Sequence, residues 1–233
     1  MKIHSFDKIL LQKKPTESDE AKIFTFVNPY SYYLVDKLDN KNNFDSIFID
    51  GITLVWAYNL LHKNKVERTS FDFTSIAHDV LLWAEKNNIK TSFIGGNSDE
   101  IEKAISVIKK KYPSINIPYY RNGYFNNHSD ILDCLDLLKK NEIELLICGM
   151  GTPIQENFLI ESKNTLSSLK LGFTCGGFIS QIATNENYYN PTLNKLNLRW
   201  LQRFMRHSHV RKRIFINYPI FFFKYFFNNL LNK

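Results

Sequence analysis

Acidic residues stop at Glu186. From Asn187 to Lys233 the chain has nine Lys or Arg and no Asp or Glu. Cysteine is scarce as well: Cys134, Cys148 and Cys175 form no CxxC and cannot all pair, which excludes a disulfide scaffold and fits a reducing compartment. Cys148 and Cys175 sit in apolar runs, where a buried thiol is expected. No hydrophobic run is long. The most apolar stretch, Ile214 to Phe227, spans 14 residues and contains Pro219 and Lys224; a spanning helix needs roughly 20 mostly apolar residues. Met1-Lys2-Ile3-His4-Ser5 leads into no apolar segment, so no signal peptide is expected. Asp-x-Asp, Gly-x-Ser-x-Gly, a Walker loop and HExxH are all missing. No His/Cys/Asp cluster has metal-ligand spacing, and His207-x-His209 reads as solvated, so neither metal nor cofactor is expected.

What is present is unevenly distributed. The nine late cations give the tail +9, while residues 1–186 hold 21 bases against 23 acids, a net of −2. The pI near 9.1 is therefore a property of one segment. That segment is also rich in large rings, among them Trp200, Phe204, Phe215, Phe221, Phe222, Phe223 and Phe227. Cations interleaved with aromatics suit the headgroup layer of an anionic membrane. Arg-aromatic interleaving also suits single-stranded nucleic acid, but Ile214–Phe227 is too apolar for a solvated phosphate track, and no nucleic acid is expected. Packing of the tail on the body is the third reading. An apolar tail also favours self-association off the membrane.

With 233 residues, 44% apolar and 23% charged, the chain fits one large globular domain with an appendage. Apolar runs at Lys22–Asn28, Ser46–Ile49, Lys90–Ile94, Ile115–Tyr120, Glu144–Cys148 and Lys170–Cys175 predict strands. Helical spacing is predicted from Pro29 to about Leu38, over Ile52–Leu61, from an Asp72 N-cap to Asn88, over Ser98–Lys111, and near 129–140 and 155–166. Such alternation argues for an α/β, Rossmann-like, largely parallel sheet with helices on both faces, followed by a basic, aromatic, helical appendage. The expected division is 1–192 and 193–233.

Ligands of such sheets bind beyond the carboxyl ends of the strands. Four strand ends carry polar or glycine-rich sequence: Asn28-Pro29, Asp50-Gly51, Gly95-Gly96 and Gly149-Met150-Gly151. The last continues as Thr152-Pro153-Ile154, so the third glycine of a dinucleotide fingerprint is missing and an NAD site is disfavoured. Its backbone N–H groups at a helix N-terminus remain a place for a diphosphate, against the alternative of a plain tight turn. Asp50 follows an apolar run and precedes a glycine. A carboxylate at a pocket mouth can act as general base; the plain alternative is an N-cap for the helix from Ile52. Arginines are the natural partners of a diphosphate.

The ordered set Asn28-Pro29, Asp50-Gly51 with Val55-Trp56-Ala57, Glu67-Arg68, Phe93-Ile94-Gly95-Gly96, Gly123-Tyr124-Phe125, Gly149-x-Gly151-x-Pro153-x-Gln155-Glu156, Gly176-Gly177-Phe178 and Leu198-x-Trp200-Leu201-x-Arg203 resembles the WecG/TagA/CpsF family of bacterial glycosyltransferases. The resemblance spans roughly residues 22 to 215. It implies inverting, metal-independent transfer from a UDP-sugar, N-acetylmannosamine type favoured over another hexose, to a polyprenyl-diphosphate-linked sugar. The place implied is the inner face of the cell membrane, and the product cell-surface polysaccharide. By the same resemblance Asp50 is the general base, Asn28 holds a sugar, and Arg68 and Gln155 line the pocket. Gly149 and Gly151 lie near the diphosphate, and Arg203 and Arg213 complete the site from the appendage. The family pattern carries Thr two positions before the asparagine; here that position is Phe26, with Thr25 beside it. The competing expectation from another class is a peripheral membrane adaptor that keeps the fold without chemistry.

Overall fold

The computed structural model describes residues 3–16, 18–185, 211 and 213–231. Its centre is a six-stranded, all-parallel sheet: β1 (Lys22–Val27), β2 (Ser46–Ile49), β3 (Thr91–Gly95), β4 (Tyr119–Arg121), β5 (Leu145–Gly149) and β6 (Leu171–Thr174). The spatial order is β2-β1-β6-β5-β3-β4. The helices are α1 (Tyr32–Asp36), α2 (Ile52–Leu61), α3 (Ala77–Lys86), α4 (Ser98–Lys111), α5 (His128–Lys140), α6 (Ile154–Thr165), α7 (Phe178–Thr184) and α8 (Tyr218–Leu231). A π-helical turn, Arg213–Asn217, precedes α8. The Rossmann-like expectation holds.

Because successive strand side chains point to opposite faces, each strand feeds two cores. Phe24, Phe48, Phe93, Ile147 and Phe173 pack under α3, α4 and α7, whereas Ile23, Val27, Ile47, Ile49 and Leu146 pack under α1, α2, α5, α6 and α8. Right-handed crossovers account for much of this division. The steps β1 to β2, β4 to β5 and β5 to β6 move toward one edge and place α1, α5 and α6 on one face; β2 to β3 and β3 to β4 move the other way and place α3 and α4 opposite.

The consequence for function lies between β1 and β6. These neighbours leave the sheet in opposite senses, β1 toward α1 and β6 toward α7 on the other face. Their diverging loops open the crevice in which α/β sheets bind ligands.

Local sequence explains the element ends. Asn97 accepts from the Glu100 amide, while the Glu100 carboxylate accepts from the Asn97 amide, a capping box that starts α4. Asn127 caps α5 in the same manner from one side. Three expectations are revised. Asp72 does not cap α3, whose N-cap is Ile76; its carboxylate binds the Thr74 amide and closes a turn. The run Ile115–Tyr120 yields a strand only at 119–121, where the pairing with Ser92–Ile94 exists. Helix α1 begins at Tyr32, since Asn28 organises the turn before it. The short α7 has no counterpart among the helices expected from spacing.

The tail packs on the body through one face of α8. Phe221 and Tyr225 are buried, with Tyr32 at 5.4 Å from both rings and Tyr33 at 5.3 Å from Phe221. The Tyr225 hydroxyl lies 3.4 Å from His62 Nε2. Ile220, Phe223 and Phe227 remain exposed. Among the described residues no helix is long and apolar enough to cross a membrane.

Glu156, in the first turn of α6, is fully buried between strand ends. Its Oε1 accepts from Thr25 Oγ1 of β1 at 2.9 Å, from Thr152 Oγ1 at 3.1 Å and from Gln155 Nε2 at 3.0 Å. Thr25 in turn lies 2.8 Å from Thr174 Oγ1 of β6. Oε2 has no hydrogen-bond partner among the described residues. Three donors and the helix N-terminus favour the charged form, but desolvation outweighs them and raises the pKa above the usual 4.5.

The folded state therefore binds this proton more tightly than the unfolded chain. Its contribution to stability is complete below the unfolded pKa and is lost as pH rises through the folded one. Glu156→Gln is expected to gain stability relative to wild type between pH 5 and pH 8, measured by urea unfolding. A pH-independent difference would show that Glu156 does not titrate there. Glu156→Leu, which strands three donors, is expected to cost about 3 kcal/mol at pH 5 and less at pH 8, because only wild type loses stability over that range.

Candidate active site

At the carboxyl edge of β1, β2 and β6 lies a cavity of about 320 Å³. Its wall includes Phe26, Asn28, Tyr30, Asp50, Asp72, Gly151, Thr152, Gln155, Gly176, Gly177 and Gln181. Five separate stretches of sequence meet here: four follow the ends of β1, β2, β5 and β6, and the fifth is Ser70–Asp72, between α2 and α3.

Asp50 extends β2 by one residue, its amide donating to the Val27 carbonyl at 2.9 Å. It does not cap α2: the N-cap is Gly51, and no side chain closes that end. The carboxylate turns instead to Arg68. Arg68 Nη2 donates to Asp50 Oδ1 at 2.6 Å, and Nε donates to the Asp50 carbonyl at 2.8 Å. The same Nη2 donates to Ser70 Oγ at 2.8 Å and lies 3.5 Å from Asp72 Oδ2. A planar guanidinium held at both Nε and Nη2 fixes the direction of the carboxylate as a lysine could not. Asp50 is 28% exposed and Arg68 16%. Oδ2 of Asp50 has no protein hydrogen bond among the described residues and is open to the cavity as an acceptor.

The expected site residues fall into three groups. Asp50, Asn28, Gly151 and Gln155 reach the cavity wall. Asn28 Oδ1 accepts from the Tyr30 and Ser31 amides at 2.9 and 3.2 Å, leaving its Nδ2 amide as a donor for a ligand. Gln155 is buried and mostly committed: Oε1 accepts from the Gly176 amide at 3.2 Å while Nε2 donates to Glu156. It ties the loop after β5 to the loop after β6. Gly151, at φ +79° with open space around its Cα, needs glycine for its conformation.

Arg68 and Gly149 are placed differently from the expectation. Arg68 stands behind Asp50 rather than on the wall. Gly149 lies beneath the wall, where a Cβ would meet Cys175 Sγ at 2.8 Å and the Gly176 carbonyl at 2.9 Å. The third group is Arg203, with Leu198, Trp200, Leu201, His207 and His209, which lies outside the described residues, as does the side chain of Arg213.

Ser70, which sequence reasoning passes over, and Asp72, which it reads only as a helix cap, are both wall residues. A signal for them exists in the alternation Arg68-x-Ser70-x-Asp72, which on an extended segment puts three polar groups on one side. Among the described residues no three His, Cys, Asp or Glu converge as a metal site requires. All three cysteines are free and buried, and burial pushes the Cys175 thiol at the cavity edge up to about 12, so it is no nucleophile.

The cavity is thus a polar crevice at a sheet switch point, with an anchored carboxylate on its wall. The chain is 41% identical over 210 residues to a Shigella boydii protein named UDP-Gal:alpha-D-GlcNAc-diphosphoundecaprenol beta-1,4-galactosyltransferase, covering 90% of this chain and 87% of that one. It is 24% identical over 198 residues to a Bacillus subtilis (strain 168) protein named N-acetylglucosaminyldiphosphoundecaprenol N-acetyl-beta-D-mannosaminyltransferase, covering 83% and 75% respectively. The model of the glycosyl transferase WecG/TagA/CpsF family matches residues 10–233, and the chain belongs to that family of glycosyltransferases.

Proposed function

We propose that this enzyme transfers galactose from UDP-galactose, with inversion, to a sugar carried on polyprenyl diphosphate. The galactosyltransferase of Shigella boydii, at 41% identity, moves the donor reading from N-acetylmannosamine to galactose. The observation that carries the chemistry is the open Oδ2 of Asp50, a carboxylate oriented by Arg68 at the cavity mouth. Asp50 accepts the proton of the acceptor hydroxyl as that oxygen attacks the anomeric carbon; the bond to UDP breaks on the opposite face, and UDP leaves as the diphosphate anion. Loop N–H groups around Gly151, with Arg203 and Arg213 of the appendage, meet the charge that develops on the leaving group. Donors fixed in advance around a developing charge usually lower a barrier more than any other single effect.

The appendage, residues 193–233, brings the enzyme to the inner face of the membrane that carries the acceptor. What supports this is the two-sided character of α8. Phe221 and Tyr225 pack on the body, while Ile220, Phe223 and Phe227 form an exposed apolar stripe at helical spacing, with Lys224 beside it. Trp56 and Leu60 of α2 are exposed too, on the helix that leads to His62 and its contact with Tyr225.

Two outcomes are expected. Asp50→Asn should reduce UDP release, with UDP-galactose and a synthetic lipid-diphosphate-linked N-acetylglucosamine, by about 10²–10⁴-fold, the range of general-base catalysis, while melting as a folded protein. Release at the wild-type rate would remove Asp50 from the chemistry, and no release by wild type with any UDP-sugar would favour the adaptor reading. Phe223→Ser combined with Phe227→Ser should abolish co-flotation with anionic vesicles while shifting stability by less than about 0.5 kcal/mol, as surface substitutions do. Undiminished flotation would place membrane contact elsewhere.

A further inference from the structure

Among the described residues, Phe26 is the partly exposed phenyl ring of the cavity wall; Phe71 and Phe178, which also line it, are buried to 4% and 2% exposure. Its position follows from the register of the sheet. Phe26 pairs with Phe48, and alternation puts Phe24, Phe26 and Phe48 on the face packed under α3, α4 and α7. Asn28 and Asp50 continue that face two residues beyond Phe26 and Phe48. The ring of Phe26 therefore lies on the floor immediately inward of Asn28 and Asp50, backed by Phe48 at 5.4 Å between centroids. An apolar ring held open on the floor of a polar sugar site forfeits burial unless a ligand covers it.

We infer that Phe26 is the platform for the donor hexose and a determinant of its configuration at C4, a proposal that rests on the galactosyltransferase reading above. The axial O4 of galactose leaves the C3, C4 and C5 hydrogens together as one apolar patch, whose burial against a phenyl ring is favourable. In glucose, O4 is equatorial, the C4 hydrogen leaves that patch and a hydroxyl sits at its edge. The floor suits the donor rather than the acceptor: a soluble nucleotide sugar can enter completely, whereas a lipid-linked acceptor must stay near the mouth. There its hydroxyl meets Asp50 Oδ2, and Asn28 Nδ2 is beside it.

The test is equilibrium binding of UDP, UDP-galactose and UDP-glucose to the full chain, with wild type, Phe26→Leu and Phe26→Tyr compared. Wild type is expected to bind UDP-galactose about tenfold more tightly than UDP-glucose, the scale on which one apolar contact discriminates. Phe26→Leu should lose most of that ratio while its affinity for UDP alone stays at the wild-type value, and Phe26→Tyr should retain the ratio. The inference is overturned if wild type does not prefer UDP-galactose, if the leucine variant keeps the preference, or if affinity for UDP falls in parallel. Transfer to the lipid-linked acceptor is measured separately: galactose-dependent binding without transfer would sink the proposed function and leave the platform standing.

Discussion

The site depends on three chain segments that are far apart in sequence being held in register at one edge of the sheet, and the buried Glu156 carboxyl is what joins them. Through Oε1 it gathers β1, the loop after β5 and, by way of Thr25, β6. Gln155 extends the same cluster to the Gly176 amide. A parallel sheet alone would align these strands but leave their exit loops to diverge, since β1 and β6 depart toward opposite faces. The clamp sits at the point of divergence. Its hydrogen bonds run through low-dielectric interior, where a satisfied network is rigid and an unsatisfied one destabilising. The price is a carboxyl with an orphan oxygen, and burial answers by favouring the protonated form.

The second constraint is local to Asp50. One Arg68 nitrogen, Nη2, faces three acceptors on Asp50, Ser70 and Asp72. Nη2 has two protons, so three acceptors cannot all be served equally, and the distances rank them: 2.6 Å to Asp50, 2.8 Å to Ser70 and 3.5 Å to Asp72. Ser70 donates to Asp72 at 2.8 Å, which returns to Asp72 what the guanidinium withholds. The arrangement leaves one oxygen of Asp50 toward the cavity and anchors the other, a division of labour that a general base needs on geometric grounds before any question of basicity.

Much of this is legible in the sequence, for reasons that differ by element. The strands of the central sheet are continuous apolar runs because both faces are covered, and β5, with Leu146, Ile147 and Cys148 all buried, is the clearest case. Asp50 at the end of such a run reads locally as either a general base or a helix cap, and the structure removes the cap. The resemblance makes Arg68 a pocket residue, yet it stands behind Asp50, because its pairing with that carboxylate is a tertiary contact that local sequence does not show. Asp72 reads as a helix cap because Asp at a turn before an apolar period usually is one; its partners are tertiary. Ile115–Tyr120 has strand composition, yet pairing with β3 decides where the ladder forms, and it forms only over its last residues and Arg121. Gln155 and Glu156 show the same limit, for a motif reveals that two residues matter without saying that both are buried.

Charge links the body to its tail. Among the described residues the cavity wall contains Asp50 and Asp72 and no Lys or Arg, whereas the proposed donor is a diphosphate anion. A phosphate charge roughly 6 Å from a carboxylate, at an effective dielectric constant of about 20, is opposed by about 3 kcal/mol before the Arg68 guanidinium, paired with Asp50 and near Asp72, cancels part of it. Backbone N–H groups and the α6 N-terminus offset part of that, typically about 1 kcal/mol for a helix end. The deficit is largest once the glycosyl bond breaks and the leaving diphosphate carries its full charge. On the proposed function, further cations reach the site from beyond the described wall, and the chain concentrates nine Lys or Arg, without a single acid, after Glu186. On the function proposed here, the net charge of −2 on residues 1–186 and of +9 thereafter is one design. On that proposal, the segment that an anionic membrane attracts is also the one that meets the leaving group.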